Sequence, residues 1–255
     1  NLEDKITYNK NVLLTLLNKQ IKNNEKLKNY TLAFKKVEQR NNILLSLKAN
    51  KKYDKSKILD TIKQYKKFYI KENVDLINKN LNNKNNIKLA FLVGFPRSGT
   101  TLLDSILRSH SKVKILEEKP FLLNLRHEYF KSKNNNLQEI LKLNQQEKDE
   151  IQKKYYQKII TLSEDANKVI IDKFPLSMIE LGFIKCIFPH AKIILSIRHP
   201  CDVVTSCFFS SFKINDAMVS FLNLNDTFKL YNEVFNLFEF YEKQLNLNIS
   251  IVKYE

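Results

Sequence analysis

A short segment that combines two glycines, an arginine and three hydroxyl side chains has the composition of an anion-binding loop. Gly94 and Gly99 bracket Phe-Pro-Arg-Ser, and Thr100 and Thr101 follow directly. The spacing is that of a phosphate-binding loop, in which backbone N–H groups and the N-terminus of the next helix surround phosphate oxygens. The whole chain contains only 3 Gly, so two in one loop indicate a backbone that turns sharply or approaches a ligand closely.

The cation of this loop lies inside it, as Arg97. A nucleotide-hydrolysing P-loop instead has a lysine after its second glycine, which contacts the β- and γ-phosphates beside a magnesium ion. Thr100 occupies that position here. Arg97 and the neighbouring hydroxyl of Ser98 therefore favour a phosphoryl or sulfuryl anion bound without a metal. A P-loop nucleotide kinase or NTPase stays open as an alternative enzyme.

A second polar pair follows a later apolar segment. Arg198 comes directly after Lys192–Ile197, and Ser206 lies in the segment that follows, which reads Arg-His-Pro-Cys-Asp-Val-Val-Thr-Ser. An arginine at the carboxyl end of a strand and a serine in the next helix face the crevice where open α/β sheets bind ligands. The pair is therefore a second candidate for anion binding.

These residues must be positioned by a sheet, and the chain predicts one from residue 87 onwards. Short apolar segments alternate there with amphipathic ones, which predicts βαβ units and a parallel sheet covered on both faces. The expected fold class is α/β, a P-loop-like parallel sheet flanked by helices, over residues 87–255. The predicted strands are 87–93, 113–116, 168–171, 192–197 and 249–252.

Residues 1–86 are predicted to form a basic α-helical extension. Apolar residues such as Val12, Leu13 and Leu16 recur at helical spacing, and neither Gly nor Pro interrupts the segment. The polar run from Asn78 to Asn86 is expected to be a linker. Of the net charge of +16, residues 1–89 carry +13, from 21 Lys and Arg against 8 Asp and Glu. A charged helical surface is the simpler interpretation, and recruitment of an acidic protein partner by these helices is the alternative.

Composition excludes several classes of protein. The longest apolar stretch, about Leu89 to Phe95, is far shorter than the ~20 residues of a membrane span. Three cysteines without metal-ligand spacing argue against a disulfide scaffold or a zinc site. The basic residues are mostly lysines and form no aromatic-interleaved RNA-binding motif, so no nucleic-acid partner is expected. We expect a cytoplasmic location because no signal peptide is visible, although the sequence opens without Met, which leaves open a missing N-terminus.

Taken together, the two motifs resemble the sulfotransferase family. The likeness rests on Pro-Arg-Ser-Gly-Thr-Thr after the first strand and on Arg198 with Ser206 after a later one. Asp172-Lys-Phe-Pro175 and Val252-Lys-Tyr-Glu255 resemble the branch that carries tetratricopeptide-like helices at its N-terminus, akin to tyrosylprotein sulfotransferases. The resemblance also implies that the domain continues beyond the end of this sequence.

The resemblance implies a co-substrate and the residues that bind it. The co-substrate would be 3′-phosphoadenosine-5′-phosphosulfate (PAPS), the product nucleotide adenosine 3′,5′-bisphosphate, and no metal would take part. Arg198 and Ser206 would bind the 3′-phosphate. The 5′-phosphosulfate would be bound by Arg97, Ser98, Gly99, Thr100 and Thr101.

The same resemblance implies three catalytic residues. Glu118 would be the base that deprotonates the acceptor hydroxyl, with Glu117 as the second choice. Lys173 would stabilise the transferring group, and Arg97 would assist with charge. The acceptor would be a peptide tyrosine, a glycan or a small hydroxyl compound. A non-catalytic helical-repeat scaffold that carries a degenerate P-loop domain is the alternative outside enzymes.

Overall fold

The N-terminal region of the protein is helical, as its periodicity predicts. The computed structural model describes residues 2–79, 88–131, 133–134, 136–160 and 168–255. Its first helices are α1 (Leu2–Lys26), α2 (Tyr30–Ser46), α3 (Ser56–Phe68) and α4 (Lys71–Lys79). The predicted linker begins at Asn78, but Asn78 and Lys79 belong to α4, and residues 80–87 lie outside the described part of the chain.

The described residues from 88 onwards contain a five-stranded sheet whose strands are all parallel and are ordered β2-β3-β1-β4-β5. This confirms the predicted fold class. The strands are β1 (Leu89–Gly94), β2 (Val113–Glu117), β3 (Val169–Lys173), β4 (Lys192–Ile197) and β5 (Asn248–Lys253).

Helices connect successive strands. They are α5 (Thr100–Arg108), α6 (Phe121–Lys131), α7 (Gln145–Ile160), α8 (Leu181–Ile187), α9 (Pro200–Phe209) and α10 (Leu224–Gln244). Short 3₁₀ turns cover Lys48–Asn50, Leu137–Ile140, Pro175–Glu180 and Met218–Leu222. The sequence pattern predicts one helix over 178–188. The structure instead has a 3₁₀ turn, Pro175–Glu180, followed by α8. The turn starts at Pro175, whose fixed φ suits a first helical turn and whose missing N–H is not needed there.

The core of the sheet is built around β1, every residue of which is buried. Leu92 packs with Ile115 of β2 and Ile171 of β3, and Leu103 and Leu107 of α5 lie against this cluster. A central parallel strand is covered by helices on both faces, which explains why β1 is a continuous apolar run rather than an alternating one. Across the described residues, no helix combines the length and apolar character needed to cross a membrane.

The chain divides into two compact units, Asn1–Thr61 with Pro200–Glu233, and Ile62–His199 with Val234–Glu255. In the first unit, the Phe34 ring of α2 packs on Phe208 of α9 with centroids 5.3 Å apart. Buried Arg40 donates hydrogen bonds to the carbonyl oxygens of Phe208 and Phe209, and so caps the end of α9. The predicted domain boundary between residues 86 and 87 falls at the edge of an undescribed segment and stays a prediction.

In the second unit, the direction of winding reverses between β1 and β4. These strands are neighbours, yet the connection after β1 leads toward β2 on one side and the connection after β4 leads toward β5 on the other. Open α/β sheets bind their ligands at such a point, where the direction of winding reverses.

Candidate functional site

The loop between β1 and α5 has the backbone that its two glycines predict. Gly99 adopts φ +96°, a left-handed conformation that residues with a side chain rarely adopt. At Gly94, a Cβ atom would lie 2.6 Å from both the carbonyl oxygen of Ser196 and the Oγ of Ser98. The hydroxyl of Ser196 donates to the carbonyl oxygen of Ser98 at 2.9 Å. The loop is therefore held closely against β4, and neither glycine tolerates a side chain.

Two residues inside the loop have the properties of ligand-binding groups. Arg97 is exposed and adopts φ +71°, a strained conformation for a residue with a long side chain. Ser98 is only 1% exposed, and its Oγ has no hydrogen-bond partner among the described residues. A buried hydroxyl of this kind is a group that a bound anion would satisfy. Thr100 is also buried and begins α5, whereas Thr101 is exposed.

The second predicted anion-binding residue, Arg198, lies directly after β4. Its guanidinium carbon is 4.7 Å from the centroid of the Tyr254 ring, within the range of a cation–π contact. Tyr254 is fixed in turn, because its backbone N–H donates to the carbonyl oxygen of Ile197 at 2.9 Å. Glu255 accepts a hydrogen bond from the backbone N–H of His199 and lies 3.9 Å from the Nε of Arg198.

Tyr254 contacts both segments that are predicted to bind anions. The same ring that stacks on Arg198 lies against Gly99, where a Cβ atom would overlap it. Sequence analysis assigned no role to Tyr254, although its position directly after β5 places it at the carboxyl edge of the sheet. Ser206 lies on α9 in the first unit, and its pairing with Arg198 stays a prediction.

The predicted catalytic residues of β2 and β3 lie together at the same edge of the sheet. Strand register places Glu117 opposite Lys173, and the next residue, Glu118, donates its backbone N–H to the carbonyl oxygen of Lys173 at 2.9 Å. The Lys173 Nζ lies 3.1 Å from a carboxylate oxygen of Glu118 and 3.6 Å from one of Glu117. Glu118 adopts φ +42°, a second strained backbone conformation in the site.

A third carboxylate contacts the same ammonium group. Asp104 of α5 places Oδ2 3.2 Å from the Lys173 Nζ. Arg108 holds both carboxylate oxygens of Asp104, with Nε 2.7 Å from Oδ1 and Nη2 3.1 Å from Oδ2. Asp104 is absent from the site residues predicted from the sequence. It could have been found from its spacing to Arg108, because an acid and an arginine four residues apart can pair on one face of the helix that follows the loop.

Electrostatics keep Lys173 and Asp104 ionised. Burial lowers the pKa of the Lys173 ammonium, but the hydrogen bond and charge of Glu118, then those of Asp104, outweigh it and hold the pKa above its ordinary value of 10.5. For Asp104, burial raises the pKa of the carboxyl, and the contacts of Arg108 and Lys173 hold it below 3.8. Lys173 is therefore a cation and Asp104 an anion at neutral pH.

This fold and site define an α/β protein with a tight glycine-containing loop after its central strand and a cluster of charged residues at the carboxyl ends of its parallel strands. A sequence profile described as the sulfotransferase family matches residues 90–255, which is more than half of the chain. The chain therefore belongs to the sulfotransferase family, and the resemblance drawn from its two motifs is confirmed.

Individual relatives agree with this assignment. Protein-tyrosine sulfotransferase A of Caenorhabditis elegans is 32% identical over 136 residues, which cover 49% of this chain and 36% of the relative. Protein-tyrosine sulfotransferase 1 of Danio rerio is 29% identical over 114 residues, covering 43% and 32%. An uncharacterized protein of Aquifex aeolicus (strain VF5) is 30% identical over 138 residues, covering 51% and 18%. The matched stretch is thus well under two thirds of each relative.

Proposed function

We propose that the protein transfers a sulfuryl group from PAPS to an acceptor hydroxyl. The observation that carries the proposal is the 3.1 Å ion pair between Glu118 and Lys173, at the sheet edge that also carries the phosphate loop. In-line transfer requires a base for the acceptor and positive charge for the leaving phosphate oxygen. Of the two predicted bases, Glu118 is the one whose carboxylate lies at hydrogen-bond distance from the buried Lys173, since Glu117 is 3.6 Å away.

The phosphate loop fits the co-substrate. The buried Oγ of Ser98 lacks a partner among the described residues, and it lies against Gly94, where a Cβ atom would be 2.6 Å away. Under the proposal, the 5′-phosphosulfate is bound by Arg97, Ser98, Gly99, Thr100 and Thr101. The 3′-phosphate is bound by Arg198 and Ser206.

The chain's own residues then have distinct tasks. Bound PAPS supplies the activated sulfuryl group. Glu118 takes the proton of the acceptor hydroxyl as the acceptor oxygen forms its bond to sulfur. The bond between sulfur and the phosphate oxygen breaks, and Lys173 and Arg97 neutralise the charge that develops on that oxygen. The proton ends on Glu118, and adenosine 3′,5′-bisphosphate leaves as the second product.

The acceptor that we propose first is a tyrosine in a peptide. Two of the relatives are named protein-tyrosine sulfotransferases. The glycan and small-molecule acceptors are tested beside it, since members of one fold act on different substrates.

The test measures transfer from PAPS labelled in its sulfuryl group. The purified chain is incubated with a tyrosine peptide, an oligosaccharide and a phenol, and mass spectrometry detects both sulfated acceptor and product nucleotide. Wild-type protein should sulfate at least one acceptor. Mg²⁺-dependent hydrolysis of ATP would instead support the kinase or NTPase alternative. Binding of neither nucleotide in calorimetry would support the scaffold.

Glu118→Ala tests the base, with Glu117→Ala as the matched control. We expect Glu118→Ala to lower kcat by about 10²-fold or more, as for loss of a general base, while adenosine 3′,5′-bisphosphate still binds. Glu117 is one residue away and similarly exposed, but lies further from Lys173. Full activity of Glu118→Ala together with an inactive Glu117→Ala would move the role of base to Glu117.

A further inference from the structure

Asp104 is a buried acidic residue at the site to which the proposed chemistry gives no task. It is 3% exposed and belongs to α5, the helix that begins at the phosphate loop. Its carboxylate contacts two cations, Arg108 and Lys173, at distances between 2.7 and 3.2 Å. An acid in this position is either a structural counter-charge or a group that sets where the Lys173 ammonium lies.

Lys173 is held between one fixed carboxylate, that of Asp104, and two exposed ones, those of Glu118 and the more distant Glu117. Its Nζ is 3.2 Å from Asp104 and 3.1 Å from Glu118. The Asp104 side chain is 4% exposed and bound through both oxygens by Arg108, whereas the Glu118 side chain is 54% exposed. The carboxylate of Asp104 is therefore held in one position beside Lys173, whereas the carboxylate of Glu118 can turn toward an acceptor.

The need for a fixed partner follows from the proton transfer. When Glu118 accepts a proton it becomes neutral and no longer compensates the Lys173 charge. A buried ammonium without a counter-charge is strongly unfavourable. Asp104 provides that charge throughout, because its contacts with Arg108 and Lys173 hold its pKa below the ordinary value.

The helix also links this lysine to the loop. Asp104 lies one turn after Thr100, the first residue of α5, and Arg108 lies one turn further. Residues four apart share a face of a helix, so one rigid element carries the loop at its start and the contact to Lys173 on its next turn. The position of the ammonium relative to the loop is thereby set by α5.

We propose that Asp104, clamped by Arg108, is the positioning residue that holds Lys173 toward the phosphate loop after Glu118 leaves it for the acceptor. This inference rests on the proposed sulfuryl transfer. It predicts an effect on kcat without an effect on nucleotide binding, since the Asp104 carboxylate contacts Arg108 and Lys173.

The first experiment is Asp104→Asn in the full chain. We expect kcat for transfer from PAPS to fall by about 10²-fold, the size of effect seen when a reacting group is misplaced by about 1 Å. KM for PAPS and Kd for adenosine 3′,5′-bisphosphate should change by less than about threefold. Arg108→Gln changes a half-exposed side chain and leaves Asp104 in place, and it should lower kcat by about tenfold. This variant supplies the test if Asp104→Asn does not fold.

A double-mutant cycle separates positioning from general damage. In a Lys173→Met background, Asp104→Asn should lower kcat by less than about twofold, because the group it positions is gone. The matched control is Glu180→Gln, which removes another buried carboxylate of the same unit that is paired with an arginine, Arg126, at 3.3 Å. It should lower Tm and leave kcat unchanged.

The outcomes separate a failure of the proposed function from a failure of the role given to Asp104. Wild-type protein that sulfates no acceptor overturns the proposed function itself. Wild-type protein that is active while Asp104→Asn or Arg108→Gln keeps full kcat overturns the role of Asp104 alone. Equal losses of kcat with and without Lys173, or a comparable loss in Glu180→Gln, would mean that Asp104 acts only through stability.

Discussion

Glu118 contacts Lys173 twice, through its backbone N–H, which donates to the Lys173 carbonyl oxygen at 2.9 Å, and through its carboxylate, 3.1 Å from the ammonium. The backbone contact continues the ladder between β2 and β3 by one residue past the end of β2. The left-handed φ of Glu118 then turns the chain away from the sheet. The ladder therefore fixes the separation of these two side chains before any substrate binds.

Replacement of Lys173 by methionine should abolish most of the transfer. The substitution keeps a long side chain but removes the charge that the proposed reaction requires at the leaving oxygen, so we expect kcat to fall by about 10²-fold. Steady-state kinetics measures this. Lys148→Met is the control, since Lys148 is a buried lysine of the same unit on α7. Wild-type kcat in Lys173→Met would remove the lysine from the mechanism.

Gly99→Ala should weaken nucleotide binding. An alanine at φ +96° is strained by about 1–2 kcal/mol, and its Cβ would overlap the Tyr254 ring. The loop must shift to relieve both, so we expect Kd for adenosine 3′,5′-bisphosphate to rise by about tenfold or more in calorimetry. Ser105→Ala, on the exposed part of α5, should bind as the wild type does. Unchanged affinity in Gly99→Ala would show that the loop conformation is not needed for the nucleotide.

Tyr254→Ala should weaken binding of the 3′-phosphate in particular. The ring stacks on Arg198, and loss of a cation–π contact of about 1 kcal/mol corresponds to about a fivefold rise in Kd. We expect this rise for adenosine 3′,5′-bisphosphate and a smaller one for adenosine 5′-monophosphate, which lacks the 3′-phosphate. Tyr254→Phe keeps the ring and should match the wild type. Equal losses for the two nucleotides would contradict a role through Arg198.

Asp172→Asn should stabilise the protein at neutral pH. Burial raises the pKa of the Asp172 carboxyl from 3.8 to about 6, against the hydrogen bond that it accepts from Tyr155. Because the pKa of Asp172 is raised on folding, its protonated form contributes to the protein's free energy of unfolding. This contribution is fully present below pH 3.8 and is lost as pH rises through about 6. The loss corresponds to about 3 kcal/mol, from a shift of about two pKa units.

Urea unfolding at pH 4 and pH 8 measures this effect. The asparagine cannot ionise and still offers an acceptor to Tyr155, so the variant's advantage in free energy of unfolding should be larger at pH 8. The difference between variant and wild type isolates Asp172 from other titrating groups. An advantage that is the same at both pH values would contradict the assignment of the shift to this carboxyl.

The sheet and its phosphate loop could be predicted because their signals are local. The continuous apolar run of β1 and the spacing of Gly94 and Gly99 lie within one short segment, and backbone sterics relate them directly to structure. Lys173 and Glu118 were predicted through resemblance to a family. Their contact depends on the register of β2 against β3, which no local pattern specifies.

Asp104 and Tyr254 could not be predicted for the same reason. Asp104 contacts Lys173 only because α5 packs beside β3, and Tyr254 meets Gly99 only because β5 lies next to β4. Both contacts join residues that are distant along the chain. The predicted start of α8 at residue 178 was also wrong, since this helix begins at Leu181. Hydrophobic periodicity does not separate a 3₁₀ turn from an α-helix.

The alternation of β3 assigns opposite charges to opposite faces of one strand. Asp172 points to Tyr155, and the next residue, Lys173, points to Asp104 and Glu118. A slip of β3 by one residue would exchange these side chains, so that Asp172 met the carboxylates of Asp104, Glu117 and Glu118 on one face and an ammonium faced a tyrosine hydroxyl on the other. The charges of the site thus make mispairing of β3 unfavourable and favour the correct register of the sheet.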